Sequence, residues 1–245
     1  MILKNKGQTA SDATDKAGTI LAFSSPTGER TLLLVQIPIT LAIIAWVPTN
    51  EAKLISLLIL WALTFRKVSR TEAYFFFAAC VFFTAMNAMS LRQGIFAFSN
   101  PDVLGMPWYE LLMWGFYLLH LKRLLDGDAP VGKRVIVWAL SLSYAAAFAS
   151  ISDASLLLAV TGGLLIIGLA LFHEPLDLGY TAYFVLLGAA VEYTGVLSGQ
   201  WHYPDSPPGG VPLWFITLWG GVGLLTRRLI LPMLAQHGHP KVTQR

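Results

Sequence analysis

The sequence predicts an all-α polytopic membrane protein: eight transmembrane helices in two parallel four-helix repeats. Three observations predict it. Hydrophobic residues make up 55% of the 245 residues, charged residues only 13%, and mean hydropathy is +0.60, against roughly 25% charged in soluble domains. Basic residues gather on alternate connections between the apolar segments. Finally, Asn87–Arg123 recurs 105 positions later, without a gap, as Glu192–Arg228. In that register Gly94 falls on Gly199, Phe98 on Tyr203, Gly105 on Gly210 and Pro107 on Pro212. Trp114 falls on Trp219, Gly115 on Gly220 and Arg123 on Arg228. So many matches in one register mark an internal repeat.

Residues 1–29 are polar and mixed in charge, and read as a disordered tail without a cleavable signal. Eight apolar segments follow, at about 31–48, 54–65, 72–91, 107–121, 135–152, 154–172, 178–198 and 211–233, and a polar tail occupies 234–245. A span needs about 20 residues, so the second segment is short and re-entrant insertion is open to it, while Lys53 and Arg66 can lengthen it by snorkelling. The fourth is short unless it includes the loop before Pro107. Ser152 and Asp153 alone separate the fifth from the sixth, which demands a tight corner.

Orientation follows from the basic residues. With the N-terminus inside, fifteen of the seventeen Lys and Arg fall on the cytoplasmic side, and only Lys53 and Arg92 oppose them. Both termini are therefore expected in the cytoplasm of a multi-pass protein of a bacterial or archaeal cell membrane. The single membrane domain, 30–233, divides into repeats of about 30–123 and 134–228. An even number of spans per repeat makes the two copies parallel, related by an axis along the membrane normal, with a cavity expected between them. The net charge of +3 is accounted for by topology and does not argue for nucleic acid. One cysteine, Cys80, excludes an internal disulfide and a cysteine-based zinc site.

The repeat separates structural from functional candidates. Residues shared by both copies serve the shared fold: Pro107 and Pro212 suit a helix first turn, and Gly115 and Gly220 let helices approach closely. Trp114 and Trp219 read either as packing or as ligand-facing residues. Polar groups in one copy alone are the better functional candidates. Glu192 stands where the first copy has Asn87, Glu110 where the second has Phe215, and His202 where the first has Ala97. A carboxylate inside a span costs a few kcal/mol or more and is rarely purposeless. Glu192 lies about seven residues, roughly 10 Å, below the outer boundary, and Glu110 enters from the same side. Bland readings stand beside these. Glu110 complements a helix dipole, Glu192 and Asn87 hydrogen-bond across the axis, and His202 joins an interfacial aromatic belt. His120, His173 and Glu174 belong to the opposite side, and no metal-binding spacing is present, so no metal or other cofactor is expected.

The pattern Glu192, Gly195, Gly199, Tyr203, Gly210-Val211-Pro212-Leu213 and Trp219 resembles membrane-embedded carotenoid hydratases. Pro107-Trp108-Tyr109-Glu110 resembles the Pro-x-Glu-Glu helix start of the small-subunit type of lycopene cyclases, although the paired glutamates of those enzymes are a single Glu110 here. The resemblance covers about 35 residues of the second copy and ten of the first. It implies redox-neutral acid–base chemistry on an isoprenoid or carotenoid-like lipid, by cyclisation or hydration. Glu192, the deeper acid, is the first choice as proton donor and Glu110 as acceptor, and the exchanged assignment is equally allowed. The expected substrate-binding residues are Asn87, Trp108, Tyr109, Trp114, Tyr193, Trp201, His202, Tyr203, Asp205 and Trp219, many of them aromatic and suited to a cation. Two rivals remain: a small transporter or exporter with a central acidic site, and a noncatalytic membrane subunit.

Overall fold

The structure, a computed structural model, describes residues 26–125, 127–204 and 209–238. It is a bundle of helices: α1 (Pro26–Trp46), α2 (Asn50–Thr64), α3 (Arg70–Arg92), α4 (Glu110–Leu124), α5 (Arg134–Ser150), α6 (Ala154–Leu171), α7 (Pro175–Leu197) and α8 (Trp214–Leu225). Helix α8 continues through a π-helical turn, Thr226–Ile230, into α9 (Leu231–Gly238). The chain is an all-α polytopic membrane protein, as its composition demands. Five helical stretches are long and apolar enough to span a bilayer: α1, α3, α6, α7, and the continuous run from Trp214 to Ala235. Helices α2 and α4 have 15 residues each and α5 has 17, and 15 residues rise only about 22 Å.

Some boundaries differ from those read in the sequence. The first helix starts at Pro26, inside the expected tail, and the last reaches Gly238, five residues beyond its expected end. The remainder of the two tails lies outside the described residues. The corner after α5 is as tight as expected: Asp153 caps α6, its carboxylate accepting the Leu156 amide at 2.7 Å, which satisfies a donor that a helix start leaves unpaired.

The 105-residue register extends through the whole third helix of each half. Helix α3 begins and ends at Arg70 and Arg92, α7 at Pro175 and Leu197. Both start with a reciprocal cap, Ser69 with Glu72 and Glu174 with Asp177. Both end alike. Gln93, Gly94 and Ile95 donate to the carbonyls of Met89, Leu91 and Ser90, and Ser198, Gly199 and Gln200 donate to those of Thr194, Val196 and Gly195. Gly94 and Gly199 have φ of +70° and +71°, Gly105 and Gly210 +80° and +79°. These left-handed positions explain why glycine occurs at the same turn of each copy. For α1 and α5 the register slips by one: they end at Trp46 and Ser150, and Thr49 and Asp153 are the caps that follow.

Close packing follows the repeat too. A methyl on Gly115 would meet Cys80 and Phe76, and one on Gly220 would meet Val185 and Thr181, the residues 105 positions on. Helix α4 thus lies against α3 as α8 lies against α7. The halves interlock, because α1 packs on α7 and α5 packs on α3.

At the basic end, Glu72 accepts Lys122 at 3.2 Å and Arg123 at 3.1 Å. Its twin Asp177, wholly buried, pairs with Arg227 and Arg228, the twins of those bases. The two arginines lie in the π turn, and Glu174 joins them at 2.9 and 2.8 Å.

At the other end the two twin loops meet in a short ribbon. Strand β1 (Ala97–Phe98) pairs antiparallel with β2 (Trp201–His202), Ala97 opposite His202 and Phe98 opposite Trp201. Ala97 and His202 are twins, so the pseudo-twofold axis passes between them. It also passes between Trp114 and Trp219, twins whose rings stack at 4.7 Å.

Candidate functional site

Between the ribbon and the Trp114–Trp219 stack, on the axis, lies a cavity of about 60 Å³. Phe96, Phe98, Trp201 and Tyr203 line it from the ribbon side, and Trp114, Tyr117, Trp214 and Trp219 from the helices. Its polar groups are Asn87 and Ser90 from α3, Glu110 from the start of α4 and Glu192 from α7.

Glu192 is held by donors alone. Trp201 Nε1 donates to Oε2 at 3.1 Å, Tyr203 OH to Oε2 at 2.7 Å, and Trp219 Nε1 to Oε1 at 3.2 Å. Both indoles reach it because α7 carries glycine four residues before and three residues after Glu192. A Cβ at Gly188 would lie 2.2 Å from Trp219 Cγ, and one at Gly195 2.0 Å from the Trp201 ring. The two glycines are notches in which the tryptophans lie. In the first half the twin of Gly188 is Phe83, and Trp114 stacks on its ring at 4.1 Å and 6° instead.

Glu110 has a sparser setting. Asn87 Nδ2 donates to its Oε1 at 3.0 Å, and Oε2 has no hydrogen-bond partner among the described residues. Asn87 therefore pairs with Glu110 of its own half, rather than with Glu192 across the axis, which corrects the simplest structural reading of that pair. The Tyr117 hydroxyl, one turn beyond Trp114 on α4, is buried without a hydrogen-bond partner among the described residues, as is that of Tyr109.

Of the residues singled out from sequence, the structure brings Asn87, Glu110, Trp114, Glu192, Trp201, Tyr203 and Trp219 to one cavity. It does not bring Trp108, Tyr193 or His202 there: Trp108 is 44% and Tyr193 40% exposed, and His202 is exposed as well. On a two-residue strand, alternate side chains point to opposite faces, so Trp201 turns inward and His202 outward. Tyr109 is fully buried but does not line the cavity. Asp205 lies outside the described residues.

Sequence reasoning missed Lys53. Counted as an exception to the charge rule, it is only 2% exposed, donates to Gln200 Oε1, and stands 5.7 Å from the centre of the Tyr109 ring. The amine thereby ties α2 to the β2 loop. Its signal was its rarity as a base on that side. His120 is wholly buried and stays apart from the cavity, as expected. Its two ring nitrogens meet Gln36 Oε1 at 3.1 Å and Tyr183 OH at 2.6 Å, and Gln36 donates to Thr40 at 2.9 Å. This group joins α1, α4 and α7 and satisfies itself. Among the described residues there is no cluster of three metal-ligating side chains.

No protein-family model and no curated protein matches the chain. Two solved structures of an Insig homologue from Mycobacterium vanbaalenii, one of them a cross-linked trimer, are similar in fold. Each superposes with a TM-score of 0.59 at 17% identity, over 72% of this chain and 100% of that one. The fold is therefore Insig-like. The comparisons show no likeness to carotenoid hydratases or lycopene cyclases, and that resemblance rests on the sequence motifs alone.

Proposed function

We propose that the protein binds an isoprenoid-type lipid within the bilayer and acts on it by redox-neutral proton transfer in the axial cavity. The observation that carries this reading is the meeting of two unlike carboxyl groups in one aromatic enclosure. Burying two acids in a span is costly unless each has a partner or a purpose, and buried acids in a cleft mark a functional-site candidate.

Their surroundings favour Glu110 as the proton donor, as in the exchanged assignment, but with Glu192 as a fixed anion facing the cation rather than as the proton acceptor. Glu192 meets three donors and no acceptor, the arrangement that suits a carboxylate. Glu110 keeps one oxygen without a hydrogen-bond partner among the described residues and is the carboxyl that can carry a proton. In this scheme Glu110 adds its proton to a double bond, a C–H bond forms as the π bond breaks, and the resulting cation faces Glu192 and the rings of Trp114 and Trp219. Water or a second double bond then captures the cation, and the proton released returns to Glu110. Nothing is oxidised or reduced. The test compares lipid extracts of cells with and without the gene by mass, and then purified Glu110→Gln and Glu192→Gln proteins. Glu110→Gln is expected to abolish conversion. Conversion at the wild-type rate in both variants would remove the acid–base mechanism.

A second reading, a noncatalytic membrane subunit, has its own support. The Insig-like fold backs it more than it backs the enzyme, and a similar chain was solved as a cross-linked trimer. The three donors on Glu192 also suffice to make it a purely structural residue. Co-purification of a partner from the membrane, with no lipid altered by the gene, would establish this reading over the first.

A further inference from the structure

We propose that Tyr117 and Glu110 together hold one hydroxyl oxygen in the axial cavity, supplied either by water or by the alcohol end of an apolar lipid. The inference rests on the reading of this cavity as the ligand site, and not on turnover. Tyr117 lines the cavity, and its hydroxyl is buried without a partner among the described residues. A buried hydroxyl without a partner is costly in a native protein, and such groups call for an explanation, commonly an ion, a water or a ligand not yet accounted for. The ring itself is well placed, edge-on to Trp114 at 6.3 Å and near Trp219 at 5.6 Å, so rotation toward another acceptor would cost its packing.

Glu110 supplies the complementary need. Its Oε1 accepts from Asn87, while its Oε2 has no hydrogen-bond partner among the described residues. The two residues are seven apart on α4, about two turns or 10 Å, and so share a face. Long side chains on a helix lean toward its N-terminus, which carries the Tyr117 hydroxyl toward the level of Glu110. An oxygen that both donates and accepts completes the pair: it accepts from Tyr117 and donates to Glu110, or the reverse. A hydroxyl does both, whereas a hydrocarbon, a ketone or an ammonium does at most one. Apart from Asn87, Ser90 and the Glu192 cluster, the walls are aromatic and aliphatic, so the rest of the ligand is a hydrocarbon chain when the hydroxyl is not water.

The experiment measures binding of a C20 prenyl alcohol and of the hydrocarbon of the same chain to the purified full-length protein in nanodiscs. Quenching of the cavity tryptophans Trp114, Trp201, Trp214 and Trp219 is the readout, alongside the infrared O–H bands exchangeable in D2O. If the lipid supplies the oxygen, the wild type prefers the alcohol by at least tenfold. Tyr117→Phe then brings the two affinities within twofold of each other and leaves that of the hydrocarbon unchanged. If water supplies it, the affinities match in both proteins, and one bound-water band of the wild type is missing from Tyr117→Phe. A variant that changes neither the affinity ratio nor the bands overturns the proposal. Tyr117→Phe keeps the ring and its packing. Should it not purify, Glu110→Gln is expected to lower the same preference or shift the same band, and its leaving both unchanged would equally overturn the proposal. Neither readout uses turnover. A protein that converts no lipid but keeps the Tyr117-dependent preference therefore sinks the enzymatic reading and leaves this one standing.

Discussion

Replacing Gly188 by alanine tests how the Glu192 setting is built. The added methyl carbon would stand 2.2 Å from Trp219 Cγ, whereas carbon atoms rest at about 3.5–4.0 Å. The indole must therefore retreat by roughly 1.5 Å. Its bond to Glu192 Oε1 is already 3.2 Å long, so the retreat breaks it. Overpacking costs about 1–3 kcal/mol and a lost bond to a charged group about 1.5–3 kcal/mol. A helix-propensity gain of about 1 kcal/mol offsets part of this, leaving a net loss of about 1.5–5 kcal/mol. Gly163 in α6 has nothing within 4 Å of its would-be Cβ, so Gly163→Ala is expected to match or slightly exceed the wild type. Unfolding in mixed micelles, followed by circular dichroism, compares the three proteins. The notch argument fails if Gly188→Ala unfolds within 0.5 kcal/mol of the wild type, a difference ordinary for an inconsequential substitution.

Further outcomes follow from other sites. Asp177→Ala leaves two arginines that are 5% and 7% exposed with the half-exposed Glu174 as their remaining carboxylate and is expected to cost about 3 kcal/mol. Glu72→Ala is expected to cost less, because Lys122 and Arg123 are 29% and 23% exposed and reach water, and chemical denaturation ranks the two. The hydrogen bond from Arg228, with Arg227 beside it, holds the Glu174 carboxyl below its ordinary value. Stabilisation from Glu174 is therefore present at neutral pH and fades as pH falls through the folded-state value, and Glu174→Gln should flatten the acid limb of the stability profile without changing its sign. A cysteine at His202, in a Cys80→Ala background, is expected to react with an impermeant maleimide from outside intact cells. Reaction only after permeabilisation would reverse the proposed orientation. Buried Cys80 itself should stay unlabelled until the protein unfolds, and prompt labelling of the native protein would contradict its packing against α4.

Much of the architecture was legible because a repeat compares the chain with itself. The 105-residue offset was read over Asn87–Arg123, and the caps, helix ends and ion clusters of α3 and α7 obey it too. Boundaries were less legible. The first helix begins within a polar stretch, since Pro26 and Glu29 suit a helix first turn without being apolar. The π turn at Thr226–Ile230 left no mark in hydropathy. The ribbon was also missed, because two-residue strands have too few residues to show alternation.

The sequence by itself determined the membrane class, the eight apolar segments, the parallel repeat and that both acids lie toward the same end of the bundle. Composition and periodicity suffice there, because a bilayer demands long apolar helices and a repeated sequence repeats its local structure. Only the tertiary structure decided which polar groups meet. Trp201 turns in and His202 turns out, Asn87 serves Glu110 rather than Glu192, and Lys53 closes on Gln200 across 147 residues. Each of these depends on the rotation of a helix about its axis and on the register of two loops. The packing of α3 against α4 and of α7 against α8, together with the pairing of β1 with β2, sets them, and no local signal in the chain encodes these contacts.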